Sequence, residues 1–141
     1  MKPEVELTIR FVEFIPDELQ AKTLYISMEY ATAAHQCPCG CGTKVVTPLS
    51  PIQWSLYFDG RAVTLSPSIG NWEFPCRSHY WIKKNRVQWA PQWTKEQINR
   101  GREREELARS RYLSKDDVSD KDRSEQISGL RAKVRHWLRR K

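Results

Sequence analysis

The sequence predicts a mainly β domain followed by C-terminal α-helices, α+β overall, with the change of character near residue 93. Three observations predict it. Residues 5–90 hold short runs of alternating or β-branched character separated by turn residues. Asp59-Gly60 sits between two such runs, the strongest short-range hairpin signal. After Pro91 the strand pattern stops, and Thr94-Lys95-Glu96-Gln97 has the spacing of a helix capping box. The expected division is therefore a β domain over 1–93 and a helical extension over 94–141.

The elements follow in order. Val5, Leu7, Ile9 and Phe11 alternate with polar residues, as a half-buried strand does. Pro16-Asp17 marks a turn. Residues 23–30 (Thr23 to Tyr30) read as a second strand, and Lys44-Val45-Val46-Thr47 as a short third. Trp54 to Phe58 and Ala62 to Leu65 flank Asp59-Gly60 as a hairpin. Tyr80-Trp81-Ile82 and Val87-Gln88-Trp89 flank Lys83-Lys84-Asn85-Arg86 as another. Over 94–113 the composition favours helix, but Ile98, Leu107 and Leu113 form a sparse apolar stripe and Gly101 weakens it. Residues 114–126 read as a linker or a frayed helix. Ile127, Leu130, Val134, Trp137 and Leu138 then recur at helical spacing among basic residues.

At 141 residues this is one small domain with an appendage, and its 39% hydrophobic content leaves a modest core. No run of about 18 apolar residues exists, so no transmembrane helix is expected. Met1-Lys2-Pro3-Glu4-Val5-Glu6 carries acids where a signal peptide needs an apolar stretch, so a reducing cytoplasm is expected. The net charge of +7 is uneven: residues 1–90 hold 9 basic and 8 acidic side chains, 91–126 hold 9 of each, and 127–141 hold 6 basic and no acidic ones.

All four cysteines fall in two places. The first reads His35-Gln36-Cys37-Pro38-Cys39-Gly40-Cys41-Gly42, the second Pro75-Cys76-Arg77-Ser78-His79. Cys37, Cys39 and Cys41 are too close in sequence to pair comfortably with one another as disulfides, and only one could reach Cys76. Thiolates with imidazole favour zinc or an iron–sulfur centre. A Cys-x-x-His spacing lets both side chains reach one ion, and glycines after Cys39 and Cys41 allow a tight knuckle. The candidate ligands are Cys37, Cys39, Cys41, Cys76 and His79, with His35 a sixth. Cys39, Cys41, Cys76 and His79 form the favoured tetrahedral set, and Cys37 is the rival to either cluster partner. One structural Zn2+ per chain is expected, in a two-knuckle β domain of zinc-ribbon or Rieske-like layout. A true Rieske centre has His where the first loop here has Cys, which argues for zinc.

Nothing resembles His-Glu-x-x-His and no acid adjoins the ligands as a general base, so no catalytic residue is assigned. Residues 65–72 (Leu65 to Trp72) have two readings: a loop presenting Asn71, Trp72 and, with the second knuckle, Arg77 to a partner, or a turn held by Pro67 and Gly70 with Trp72 packing over the metal. Trp54, Trp81 and Trp89 fall on strands and read as core. The β region is nearly neutral and lacks the basic groove that single-stranded nucleic acid needs. The basic segment 127–141 can contact nucleic-acid phosphates, an anionic membrane surface or an acidic protein, or pack on its own domain or a neighbouring copy.

At Ala31 to Gly42, Thr64 to Trp72 and Cys76 to Ile82 the chain resembles a family of small bacterial metal-binding proteins without an assigned function. The resemblance spans roughly residues 5–93. Several members are encoded beside tandem ubiquitin-like proteins and beside E1-like ThiF-type and E2-like enzymes. The resemblance implies a non-catalytic adaptor or E3-ligase-like component of a bacterial ubiquitin-like conjugation pathway. Its partners would be E1-like or E2-like enzymes or the ubiquitin-like protein itself. A ligase-like member would position a charged E2-like enzyme and form no thioester of its own. The alternatives are a zinc protein that binds nucleic acid through 127–141, and a metalloenzyme or redox protein.

Overall fold

The computed structural model describes the backbone of residues 2–138; the side chains of 118, 132–134 and 136–138 lie outside that description. Two compact units make up the chain, Met1–Arg100 and Gly101–Lys141.

The first unit is two antiparallel-rich sheets. Sheet one has five strands in the order β1 (Val5–Glu6), β9 (Arg86–Trp89), β8 (His79–Lys83), β7 (Val63–Gly70) and β6 (Ser55–Phe58). Sheet two has four, in the order β2 (Thr8–Phe11), β3 (Thr23–Ser27), β4 (Thr32–Gln36) and β5 (Lys44–Pro48). One apolar cluster draws on both: Leu24, Ile26, Ala33 and Val45 from sheet two, and Val63, Leu65, Ile69, Tyr80, Ile82 and Val87 from sheet one. Period-two alternation puts these residues on one face of each sheet. β3 is buried at all five positions. Its outer face is covered too, because β2 runs parallel to it and the crossover 12–22 must pass over the sheet. Leu19, with Val12 and Ile15, packs there on Tyr25 and Ala34.

The expected strand from Val5 to Phe11 is two strands in different sheets. Leu7 N–H donates to the Asn85 carbonyl of one sheet, and Thr8 N–H to the Lys22 carbonyl beside the other. The chain thus changes partner at one residue while keeping its alternation. β4 was not expected: Thr-Ala-Ala-His has weak strand propensity, and its small residues are buried between β3 and β5. Both hairpins form where expected. Asp59 Oδ1 accepts from the N–H groups of Arg61 and Ala62, with Gly60 at φ +91°. Lys84 and Asn85 take φ +47° and +66°, the left-handed pair that a two-residue hairpin requires.

Helix α1 covers Lys95–Leu138. Its capping box is formed: Thr94 N–H donates to Gln97 Oε1 at 2.8 Å, and Gln97 N–H to Thr94 Oγ1 at 3.3 Å. Residues 114–126, expected as linker or frayed helix, are helical; Gly101 and Gly129 are the helix's two glycines and it has no proline to break it. Ile127 and Leu130 of the basic segment are exposed. The segment's readings at Val134, Trp137 and Leu138 lie outside the described side chains. Among the described residues no helix is long and apolar enough to cross a membrane.

Candidate functional site

β4 ends at Gln36 and delivers Cys37 into a tight loop. Cys37 N–H donates to the Thr43 carbonyl and Gly40 N–H to the Cys37 carbonyl, with Gly40 and Gly42 at φ +92° and +76°. The second loop turns at 71–77, where Phe74 N–H meets the Asn71 carbonyl, Arg77 N–H meets the Phe74 carbonyl, and Arg77 takes φ +44°. These loops bring the sulfurs of Cys37, Cys39, Cys41 and Cys76 within 4.8 Å of one another. Individual separations are 3.4 Å for Cys37–Cys39, 3.8 Å for Cys37–Cys76 and 3.9 Å for Cys41–Cys76. A tetrahedral ion with metal–sulfur bonds of about 2.3 Å needs sulfurs about 3.8 Å apart, so the four thiols fit one ion. Burial pushes the Cys37 thiol up to about 12, whereas hydrogen bonding with Thr43 brings Cys41 down to about 6. A bound cation would supply the charge compensation that Cys37 lacks.

His79 stands apart from this cluster. Its Nδ1 lies 2.6 Å from the Pro91 carbonyl oxygen and its Nε2 lies 3.0 Å from Ser68 Oγ. A carbonyl can only accept, so Nδ1 carries the hydrogen in this contact. The neutral ring then has a bare Nε2, and Ser68 O–H donates to it. That is the tautomer a general base needs in order to take a hydroxyl proton.

Register explains how Ser68 reaches His79. Leu65 pairs with Ile82 and Ile69 with Tyr80, so β7 spends four residues where β8 spends two. The excess bulges at Ser66, Pro67 and Ser68, and a bulge re-aims side chains. The expected turn over 65–72 is instead mostly strand, running to Gly70. His79 is nearly fully buried. Trp72, Trp93 and Trp81 surround it with ring centroids at 4.9, 5.1 and 6.0 Å, and Trp72 stacks on Trp93 at 5.5 Å. Trp72 therefore packs on the histidine. It can lie there because position 70 has no side chain: a Cβ on Gly70 would sit 2.5 Å from the indole.

A buried polar chain joins the two features. Cys37 Sγ is 3.1 Å from Ser78 Oγ. Asn71 Nδ2 donates to Ser78 Oγ at 2.8 Å and contacts the Tyr80 oxygen at 3.4 Å. The Tyr80 hydroxyl meets His35 Nε2 at 2.7 Å. Ser78 and Tyr80 flank His79, so the cysteine cluster and the histidine share one rigid strand start. His35 is fully buried, which lowers its pKa to about 4, and its Nδ1 has no hydrogen-bond partner among the described residues.

Of the sequence-derived candidates, Cys37, Cys39, Cys41 and Cys76 come together. His79 faces Ser68 and Pro91, and His35 faces Tyr80. Ser68 and the Pro91 carbonyl were not singled out. A serine 11 residues before a histidine has no spacing signature, and Cys-x-x-His absorbed His79 into the metal motif.

Fold and site define a two-sheet β protein that carries a tetrathiol cluster able to hold a metal ion and, three residues along the chain from Cys76, the histidine of a serine–histidine pair. A family model described as bacterial ubiquitination-like system serine protease (BubE) matches residues 11–90, more than half of the chain, and the chain belongs to that family. The matched span contains Ser68, His79 and all four cysteines, and it stops one residue short of Pro91. Neither a curated protein nor a solved structure matches the chain.

Proposed function

We propose that this chain is a serine protease of a bacterial ubiquitination-like system, with Ser68 as nucleophile and His79 as general base. The single observation that carries the reading is the 3.0 Å Ser68–His79 contact, with the histidine tautomer set by the Pro91 carbonyl. An adaptor or E3-like scaffold, the role the resemblance implies, needs neither a nucleophile nor a base. The family description points the same way.

The chemistry follows from the contacts. Ser68 Oγ attacks the carbonyl carbon of the scissile bond as its proton passes to His79 Nε2. The carbon–nitrogen bond then breaks, and His79 returns the proton to the leaving amine. Water next attacks the acyl ester and gives a proton to Nε2. The bond to Oγ breaks, Ser68 takes that proton back, and the acid product leaves. The Pro91 carbonyl holds the ring by its Nδ1–H throughout. Being neutral, it stabilises the transient imidazolium less than a carboxylate would. The three tryptophans limit water around the ring and strengthen both hydrogen bonds.

Cys37, Cys39, Cys41 and Cys76 would hold one Zn2+ as a closed structural site in zinc-ribbon fashion. The ion would supply the cross-link between the two loops. Its effect on the chemistry would be positional, since Cys76 precedes His79 by three residues. A reducing cytoplasm would keep these thiols available as ligands. Substrates and partners would be the ubiquitin-like protein and its E1-like or E2-like enzymes.

The test is covalent labelling with a small alkyl fluorophosphonate, read by intact mass and peptide mapping. We expect one adduct, on Ser68, lost in Ser68→Ala and His79→Ala while metal content is unchanged. Wild-type protein that stays unlabelled but captures E2-like enzyme equally well with and without Ser68 would return the reading to an adaptor.

A further inference from the structure

Sheet one has an unfinished edge beside the nucleophile. β6 covers β7 only from Val63 to Ser66, where Ser55 pairs with Ser66. Beyond Ser66, β7 runs on to Gly70 with β8 on one side. Among the described residues no strand pairs with Pro67–Gly70 on the other side.

The hydrogen-bond pattern says which groups this edge presents. Asn71 N–H bonds the Ser78 carbonyl at 2.9 Å, so Asn71 and Ser78 form a hydrogen-bonded pair. Hydrogen-bonded and non-bonded pairs alternate along an antiparallel ladder. The next pair, Gly70 with His79, is therefore non-bonded. The strand on the far side agrees, because Ala90 N–H takes the His79 carbonyl at 2.8 Å. Ile69, paired with Tyr80, spends its backbone groups on β8. Gly70 turns its N–H and C=O the other way, toward the uncovered edge, two residues from Ser68. Pro67, which has no N–H to donate, keeps the open stretch short and limits unwanted pairing.

We propose that this edge is the substrate subsite, and that it takes an extended, unfolded peptide segment that adds to β7 as a strand and exchanges backbone hydrogen bonds with Gly70. The proposal rests on the serine protease reading and names its substrate class: a flexible linker or tail, not the surface of a folded domain. Only an extended chain presents donor and acceptor together at the spacing of one residue. The half that pairs is the acyl half, N-terminal to the scissile bond. That half stays on Ser68 through both chemical steps, so pairing it orients both attacks, whereas the amine half must leave after the first. Backbone pairing carries affinity without side-chain identity, so selection at this subsite is by conformation.

The experiment compares two adducts of the full-length 15N-labelled chain by amide hydrogen exchange. One is formed with a small alkyl fluorophosphonate, the other with a succinyl-trialanyl-alanine diphenyl phosphonate, which leaves a four-residue acyl-side strand on the nucleophile. In the free protein and in the small adduct we expect the Gly70 amide to exchange fast while the Ile69 amide is protected. In the peptidyl adduct Gly70 exchange should slow roughly tenfold or more, as a newly paired amide does. Equal Gly70 exchange in both adducts overturns strand addition and leaves the serine protease reading intact. Labelling by the small reagent with no reaction of the peptidyl reagent also counts against the edge as an acyl-side subsite. If neither reagent labels Ser68, the protease reading itself has failed.

Discussion

His35 offers the sharpest thermodynamic test of the buried polar chain. The ring is fully buried, and burial lowers its pKa from the ordinary 6.5 to about 4. Between those values the unfolded chain binds a proton on His35 that the folded chain refuses. Stability on this account is complete above pH 6.5, is lost as pH falls toward about 4, and is level below that. At about 1.36 kcal/mol per pKa unit, the gap is worth about 3 kcal/mol, a large fraction of a small domain's stability. The perturbation is His35→Gln, which keeps an acceptor for the Tyr80 hydroxyl and cannot charge. The assay is urea unfolding of both proteins at several pH values from 7.5 to 4. Metal loss in acid affects both alike, so the difference between their pH slopes isolates His35. We expect the variant to be less stable at pH 7.5 through altered packing but to lose about 3 kcal/mol less than wild type on acidification. Parallel pH dependences would refute the argument and mean that His35 titrates near its ordinary value in the folded chain.

Two other perturbations separate packing from metal. Gly70→Ala puts a Cβ 2.5 Å from Trp72, so the indole must leave His79 and Trp93. We expect a loss of about 1–3 kcal/mol and shifted tryptophan fluorescence; unchanged fluorescence and melting would show that Trp72 does not rest on Gly70. Protein purified without added metal should contain about one zinc per chain, and chelation or Cys76→Ser should cost several kcal/mol and abolish fluorophosphonate labelling, because ligand binding there is folding free energy. A Cys76→Ser protein that stays folded, metal-free and fully labelled would show that the cluster holds no structural ion.

Local chemistry was legible in the residues. Asp59-Gly60 and Lys84-Asn85 are turns because their own backbones accept positive φ, and Thr94 with Gln97 caps a helix by contacts three residues apart. The cysteine clustering is visible for the same reason: knuckle geometry is set within a few residues by Gly40 and Gly42. What the tertiary structure decided lies across strands. The partner change at Leu7, the burial of the small residues of β4, and the two-residue bulge that turns Ser68 onto His79 depend on register between segments distant in sequence. His79 shows the difference most plainly. Its spacing from Cys76 reads as a ligand, but β8 alternation sends the flanking Ser78 and Tyr80 toward Cys37 and His35, and His79 to the opposite face, where Ser68 and Pro91 wait. Spacing along the chain says which atoms a loop can bring together; only pairing between strands says which face of the sheet they occupy.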